Sequence, residues 1–399
     1  MAPMTDSESS DTHLSDRAAL PHQAATGTDS SRSTVLPLIE WSGPEPRVQA
    51  GSRERFEVLG LLGAGGMGEV VLARDFDIDR KVALKRLPEK ADLGRVLRFV
   101  EEIRTVGQLE HPNIVPVHDV GVDACGRYYF VMKHLHGQTL ESIITRLSAG
   151  DEEAHARFST PVRIQVMLGV MNALAYAHQQ GFIHRDLKPA NIMVGPYGEV
   201  TVMDWGLAKR LNVPERPRLE EPTAPRTVLQ TQLGSVMGTP LYMSPEQARG
   251  AHDVLDARSD LYSLAVTFHE FLHLEHYLHG RQGLQAVLEG VQTVHPELHR
   301  RSPRGRQFQV PAELDWFLKR GLAKDPAQRY QSVSEMTEEL QRILRGECRI
   351  QCRRTMMKRV MGEMQKLIDQ RPIVAAVIAS ATVALVLAAV VKSVFVLAS

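Results

Sequence analysis

The chain has 399 residues, 43% hydrophobic and 24% charged, enough for one large domain or two modest ones with tails. Its 47 basic and 47 acidic side chains cancel, which excludes a global field that would draw it to nucleic acid and leaves only local charge arguments. Cys125, Cys348 and Cys352 are an odd set without zinc-ligand spacing, which fits a reducing compartment better than a disulfide framework.

Residues 1–53 are rich in Ser, Thr, Asp and Pro, with one apolar cluster, "VLPLIEW". Nothing there supports a core, and a disordered N-terminal tail is expected. The start "MAPMTDSESS" lacks the basic-then-apolar order of a cleaved signal peptide. Over residues 54–345 the periodicity becomes that of a mixed domain. Short β-rich runs come first ("FEVLGLL", "GEVVLAR", "KVALKRL"), followed by mainly helical segments.

Within the β-rich part, "LGAGGMGEV" (62–70) spaces Gly63, Gly65 and Gly68 so that backbone amides can approach phosphate oxygens. Dinucleotide-binding folds use a similar spacing, but there a helix follows at once. Here "EVVLAR" continues as a strand. "VALK" then sets Lys85 on a strand among apolar neighbours, where a lone ammonium is costly unless it meets phosphate or carboxylate. "RFVEEIRTVGQLEHP" reads as an amphipathic helix with Phe99, Ile103 and Val106 on one stripe. Its Glu102 can project toward Lys85; Glu101 is the competing, more solvent-facing candidate.

Further along stand "HRDLKPAN" (184–191), "DWG" (204–206) and "SPE" (244–246). With the glycine loop and the strand lysine before them, this order and spacing resemble the eukaryotic-type protein kinases, and most of all the bacterial membrane-anchored serine/threonine kinases. The resemblance covers about residues 56–345. It implies an α+β, two-lobed protein-kinase-like fold: a small β-rich N-terminal lobe and a large helical C-terminal lobe.

The resemblance also implies a site. Asp186 would accept or orient the substrate hydroxyl, and Lys188 would stabilise charge on the transferring phosphate. Asn191 and Asp204 would offer oxygen ligands to magnesium, or manganese in its place. Lys85, held by Glu102, would grip the α- and β-phosphates of ATP beneath the loop Leu62, Gly63, Ala64, Gly65, Gly66, Met67, Gly68, Glu69 and Val70. The adenine would lie between Val70 and Ala83 above and Met193 below, with Met132 behind it and the backbone from Lys133 to Leu135 as hinge. Protein substrates are implied, along with a dimer as one arrangement for phosphorylation in trans. The alternative is a weak or inactive kinase-fold scaffold.

Trp205 stands where most relatives carry Phe; it keeps the apolar body and adds an N–H that needs a partner. The polar segment 207–243 offers Thr227, Thr231 and Ser235 as phosphorylation candidates, with Arg185 a candidate partner for the phosphate. Glu246 and Arg329 resemble a buried brace of the large lobe, and Asp260 a support of the 184–191 loop. His269, His273, His276 and His279 fall at helical spacing, which reads better as a partly exposed helix face than as a metal site.

Residues 345–371 carry eight basic and three acidic side chains and read as a basic juxtamembrane helix over 346–371. Residues 372–392 follow as an apolar stretch of about the 20 residues a helix needs to cross a bilayer, with a short tail at 393–399. The positive-inside rule then places the large domain in the cytoplasm, anchored to the cell's inner membrane by a single pass near the C-terminus. The basic residues are candidates for anionic lipid headgroups.

Overall fold

The computed structural model describes residues 33–36, 38–42, 45–49, 54–65, 68–211, 239–250, 255–296, 310–347 and 353–398. Thr227, Thr231, Ser235, Gly66, Met67, Cys348 and Cys352 lie outside them. The first element corrects an expectation. β1 (Leu38–Ser42) and β2 (Glu45–Gln49) pair antiparallel, with Leu38 opposite Gln49 and Ser42 opposite Glu45, inside the stretch expected to lack structure. The regional composition is polar, but "LIEW" is locally apolar and β-prone, and the Gly-Pro pair after Ser42 supplies a turn signal. Just upstream, the backbone N–H groups of Val35 and Leu36 donate to Asp77 Oδ1 at 2.8 and 3.0 Å.

The small lobe is an antiparallel sheet of β3 (Phe56–Gly65), β4 (Gly68–Asp75), β5 (Arg80–Arg86), β6 (Val117–Val122) and β7 (Tyr128–Lys133), ordered β3-β4-β5-β7-β6. Alternation decides which face is covered: Val71, Ala73, Val82, Leu84, Tyr129 and Val131 form a compact core on one side. On the other side lies α1 (Leu93–Val106), started by Asp92, whose side chain accepts the Arg95 N–H. Its Phe99 packs on Phe130 with ring centroids 5.4 Å apart, beside Leu87.

The large lobe opens with β8 (Gln138–Thr139), α2 (Leu140–Ser148), α3 (Glu152–Arg157) and α4 (Thr160–Gln179). In α4, Met167, Val170, Met171 and Leu174 are all fully buried, so the helix is apolar nearly all round and forms the lobe's axis. β9 (Phe182–Ile183), β10 (Ile192–Val194), β11 (Val200–Val202) and β12 (Lys209–Arg210) lie beside it as short ribbons. α5 (Pro245–Ala248) begins with a capping box in which Ser244 and Gln247 satisfy each other's backbone. α6 (Ala257–His273), α7 (Leu284–Thr293), α8 (Ala312–Gly321) and α9 (Val333–Leu344) complete the lobe.

The histidine expectation also changes. α6 ends at Leu274, which adopts φ 57, so the four histidines do not share a helix face. His269 is buried and stacks on His273 at 4.4 Å, and His273 Nε2 meets Asp315 at 3.1 Å. His276 is held down at about 4 by burial; only His279 is exposed. Among the described residues no group of three or more His, Cys, Asp or Glu is placed to hold a metal ion.

α10 (Arg353–Gln370) and α11 (Pro372–Ala398) end the chain. Pro372–Ala389 has a mean hydropathy of 2.4 with none of the window buried, the one candidate membrane span among the described residues. Its helix runs past Lys392 to Ala398.

Candidate active site

The site lies where the lobes meet, and β5 supplies its central cation. Lys85 Nζ is 2.5 Å from Glu102 Oε1 on α1 and 3.3 Å from Asp204 Oδ1. Glu101, the competitor, is exposed. The choice follows from helix period: Glu102 lies three residues after Phe99 and four before Val106, on the stripe that packs against the sheet. Burial tends to lower Lys85, but Asp204 and Glu102 outweigh it and hold the ammonium above its ordinary value. Glu102 Oε2 is buried without a protein partner among the described residues.

Below, the loop after β9 gathers the other polar groups. Lys188 Nζ bonds Asp186 Oδ2 at 2.7 Å, and Asn191 Nδ2 donates to the Asp186 carbonyl at 2.9 Å. Burial raises the Asp186 carboxyl, with Lys188 opposing. The loop is clamped from beneath by Asp260, which accepts the N–H of His184 at 2.8 Å and of Arg185 at 2.9 Å and also bonds His178 Nε2 at 2.8 Å. Gln247 Nε2 donates to the Arg185 carbonyl at 2.8 Å. Sequence reasoning found Asp260 but not His178 or Gln247. The signals were the S-x-x-Q capping box for Gln247 and, for His178, only a histidine six residues before "HRD".

Asp204 is half-exposed and has φ 56; Arg185 has φ 69. Left-handed backbone at non-glycine residues persists only where the surroundings enforce it, and it gathers at functional sites. Desolvation tends to raise Asp204, but its neighbours, Lys85 above all, outweigh this and hold the carboxyl below its ordinary value. Trp205 is 1% exposed, its ring centroid 4.6 Å from that of His184. Its Nε1 is buried and has no partner among the described residues.

The roof is β3 and β4, with Gly63 opposite Val70, Ala64 opposite Glu69 and Gly65 opposite Gly68. Leu62, Gly63, Ala64 and Gly65 are exposed. Gly68 adopts φ 131, and a Cβ there would lie 2.1 Å from the Arg86 carbonyl oxygen, so only glycine fits. Glu69 turns to Arg86 at 2.7 Å and Arg127 at 3.4 Å, leaving only its backbone for the loop. Ala83 lies opposite Met132 in the β5–β7 register; Val70, Met132, Leu135 and Met193 are partly buried around the cleft, and Lys133 is exposed.

Deeper in the large lobe, Arg329 Nη1 and Nη2 bond the two carboxylate oxygens of Glu246, each at 2.8 Å, and Ser259 adds a bond of 2.7 Å. Burial opposes this charge, yet Arg329 and Ser259 hold Glu246 at about 2.

A β-sheet lobe over a helical lobe, with ammonium, carboxylate and amide groups converging between them, is the architecture of a two-lobed phosphotransferase. The profile described as the protein kinase domain matches residues 56–341, and the chain belongs to the protein kinase family. It is similar to the serine/threonine-protein kinase PknB of Mycobacterium tuberculosis, 38% identical over 302 residues, which are 74% of this chain and 44% of the relative. It is also similar to PknB of Mycobacterium leprae at 37% (74% and 44%) and to the serine/threonine-protein kinase PrkC of Bacillus subtilis at 32% (72% and 40%). The chain thus spans less than half the length of these relatives.

Proposed function

We propose that the protein transfers the γ-phosphate of ATP to serine and threonine hydroxyls of protein substrates, its own 207–243 segment included. The observation that carries this reading is the convergence of Lys85, Glu102 and Asp204 within 3.3 Å contacts, beside the Asp186–Lys188–Asn191 cluster. Phosphoryl transfer asks a protein mainly to position groups and neutralise charge.

Lys85, oriented by Glu102, binds the α- and β-phosphates, while the amides of the 62–70 loop cover the triphosphate. Asp186 orients the attacking hydroxyl and accepts its proton, and Lys188 faces the oxygens that gain charge. The adenine ring is held between Val70 and Ala83 on one side and Met193 on the other, with Met132 at the rear and the backbone of Lys133–Leu135 reading its edge.

A divalent cation fits the donors present. The ionised Asp204 carboxylate is a hard oxygen ligand, and Asn191, which spends its N–H on Asp186, keeps its amide oxygen as acceptor. Two such ligands sharing an ion with phosphates is the usual magnesium arrangement. When bound, the ion neutralises charge on the β- and γ-phosphates.

The serine/threonine class is supported by Lys188 and by the names of the relatives. Anchoring by α11 at the inner membrane, with the domain on the cytoplasmic side, is supported by its charge-free apolar window and the basic residues before it. Transfer of radiolabelled phosphate from ATP to the protein or to a basic protein substrate, compared with Asp186→Asn, tests the reading. Label on serine or threonine, lost in the variant, is expected; equal labelling of both proteins, or none, defeats it.

A further inference from the structure

The last helix before the apolar window has two faces, and the apolar one points away from the protein. On α10, Met357, Val360, Met361, Met364 and Ile368 recur at helical spacing and each is about half exposed or more, from 53% to 65%. The opposite side carries Thr355, Gly362 and Lys366, seven and four residues apart, with Thr355 fully buried and the other two partly so. That side is tied to the large lobe: Lys358 bonds Glu313 at the start of α8 at 2.8 Å, and Lys366 reaches Glu347, just past α9, at 3.4 Å. A surface helix ordinarily turns its apolar stripe toward its own domain; here the stripe is left for something else.

What covers it follows from charge and position. Besides the lobe-bound Lys358 and Lys366, the segment from Arg353 to Arg371 has four basic residues against two acidic ones, so a second copy would bring one net-positive helix against another, whereas an anionic lipid surface would be complementary. That surface is also adjacent. Arg371 donates its N–H to Leu367 O at 2.8 Å and accepts the Ala375 N–H at 3.0 Å. Pro372, without an N–H, opens the apolar helix. α10 therefore ends where α11 begins, with Arg371 closing the one helix and opening the other.

We propose that α10 lies on the anionic phospholipid surface that α11 enters, its methionine-rich stripe immersed at headgroup level. Its other face holds the large lobe, so the catalytic domain is docked on the membrane in one orientation. This rests on reading α11 as a membrane span.

The test uses the full chain with Cys125→Ser, Cys348→Ser and Cys352→Ser, reconstituted in nanodiscs of phosphatidylcholine and phosphatidylglycerol containing spin-labelled lipid. Single cysteines at Met364→Cys, Gln365→Cys and Val383→Cys carry an environment-sensitive fluorophore. The labels at 383 and 364 are expected to lose most of their emission to the lipid quencher, and the label at 365 to keep it. If the label at 383 is quenched while that at 364 is open to aqueous iodide, α11 is a span and the inference about α10 is overturned. A label at 364 shielded from both quenchers means that another protein surface covers the stripe, which also overturns it. If the label at 383 escapes the lipid quencher, the membrane reading itself fails.

Discussion

Arg329 and Glu246 meet through two parallel hydrogen bonds inside the large lobe, the guanidinium fully buried and the carboxylate nearly so. Removing one partner of such a pair leaves a buried charge without compensation, which costs about 3–5 kcal/mol. Arg329→Met should lower the free energy of unfolding by that amount in denaturant titrations. The pair also sets an acid limit. Glu246 is depressed from 4.5 to about 2, so its contribution is present above the unfolded value and is lost as pH falls from about 4.5 toward 2. Unfolding followed across this window should steepen in the wild type and flatten in Glu246→Gln.

Lys85 is the cation shared by Glu102 and Asp204. Lys85→Met should reduce kcat/KM for phosphotransfer at least about a hundredfold, the scale for loss of one preorganised charge at the reacting group. Its melting temperature should fall as well, because Glu102, buried beside it, loses its counter-charge. A variant within tenfold of wild-type turnover would show that another group carries the phosphates.

For Asp186 the pH dependence has a definite sign. Burial raises its carboxyl and Lys188 opposes the rise, and in its proposed role Asp186 must be ionised to take a proton from the substrate. Activity should therefore fall on the acidic side as Asp186 protonates. In Lys188→Met that acidic limb of the kcat profile should move to higher pH, because the opposing charge is gone. An unmoved limb with lowered kcat would show that the limb belongs to another group.

Trp205→Phe tests the indole N–H. The wild-type donor is buried without a partner among the described residues, a situation costing about 1–3 kcal/mol; the smaller ring forfeits a comparable amount of packing. The two should nearly cancel, leaving stability within about 1 kcal/mol of wild type by calorimetry. A loss above about 2 kcal/mol would show that the indole N–H has a partner after all.

These outcomes depend on features of unequal legibility in the sequence. The Lys85–Glu102 pairing could be anticipated because helix period puts Glu102, and not Glu101, on the stripe of Phe99 and Val106. Glu246, Arg329 and Asp260 were readable from the motifs around them. The histidines were not, because spacing alone cannot reveal that Leu274 turns into left-handed backbone and sends His276 elsewhere. Nor did composition reveal the hairpin at 38–49, since a polar average over fifty residues hides its four apolar ones, Leu38, Ile39, Trp41 and Val48. The exposure of the α10 stripe was equally hidden: periodicity marks an apolar face but does not say whether the chain itself covers it.

Arg185 and Asp204 hold a backbone shape that an L-residue takes at a cost of roughly 1–2 kcal/mol. Glycine would take it freely. A selection for heat resistance blind to turnover would thus be drawn to glycine at 185 and 204, and at 204 it would delete the acidic group facing the cleft. In the proposed role of Asp204, durability and activity pull the sequence in opposite directions at that position.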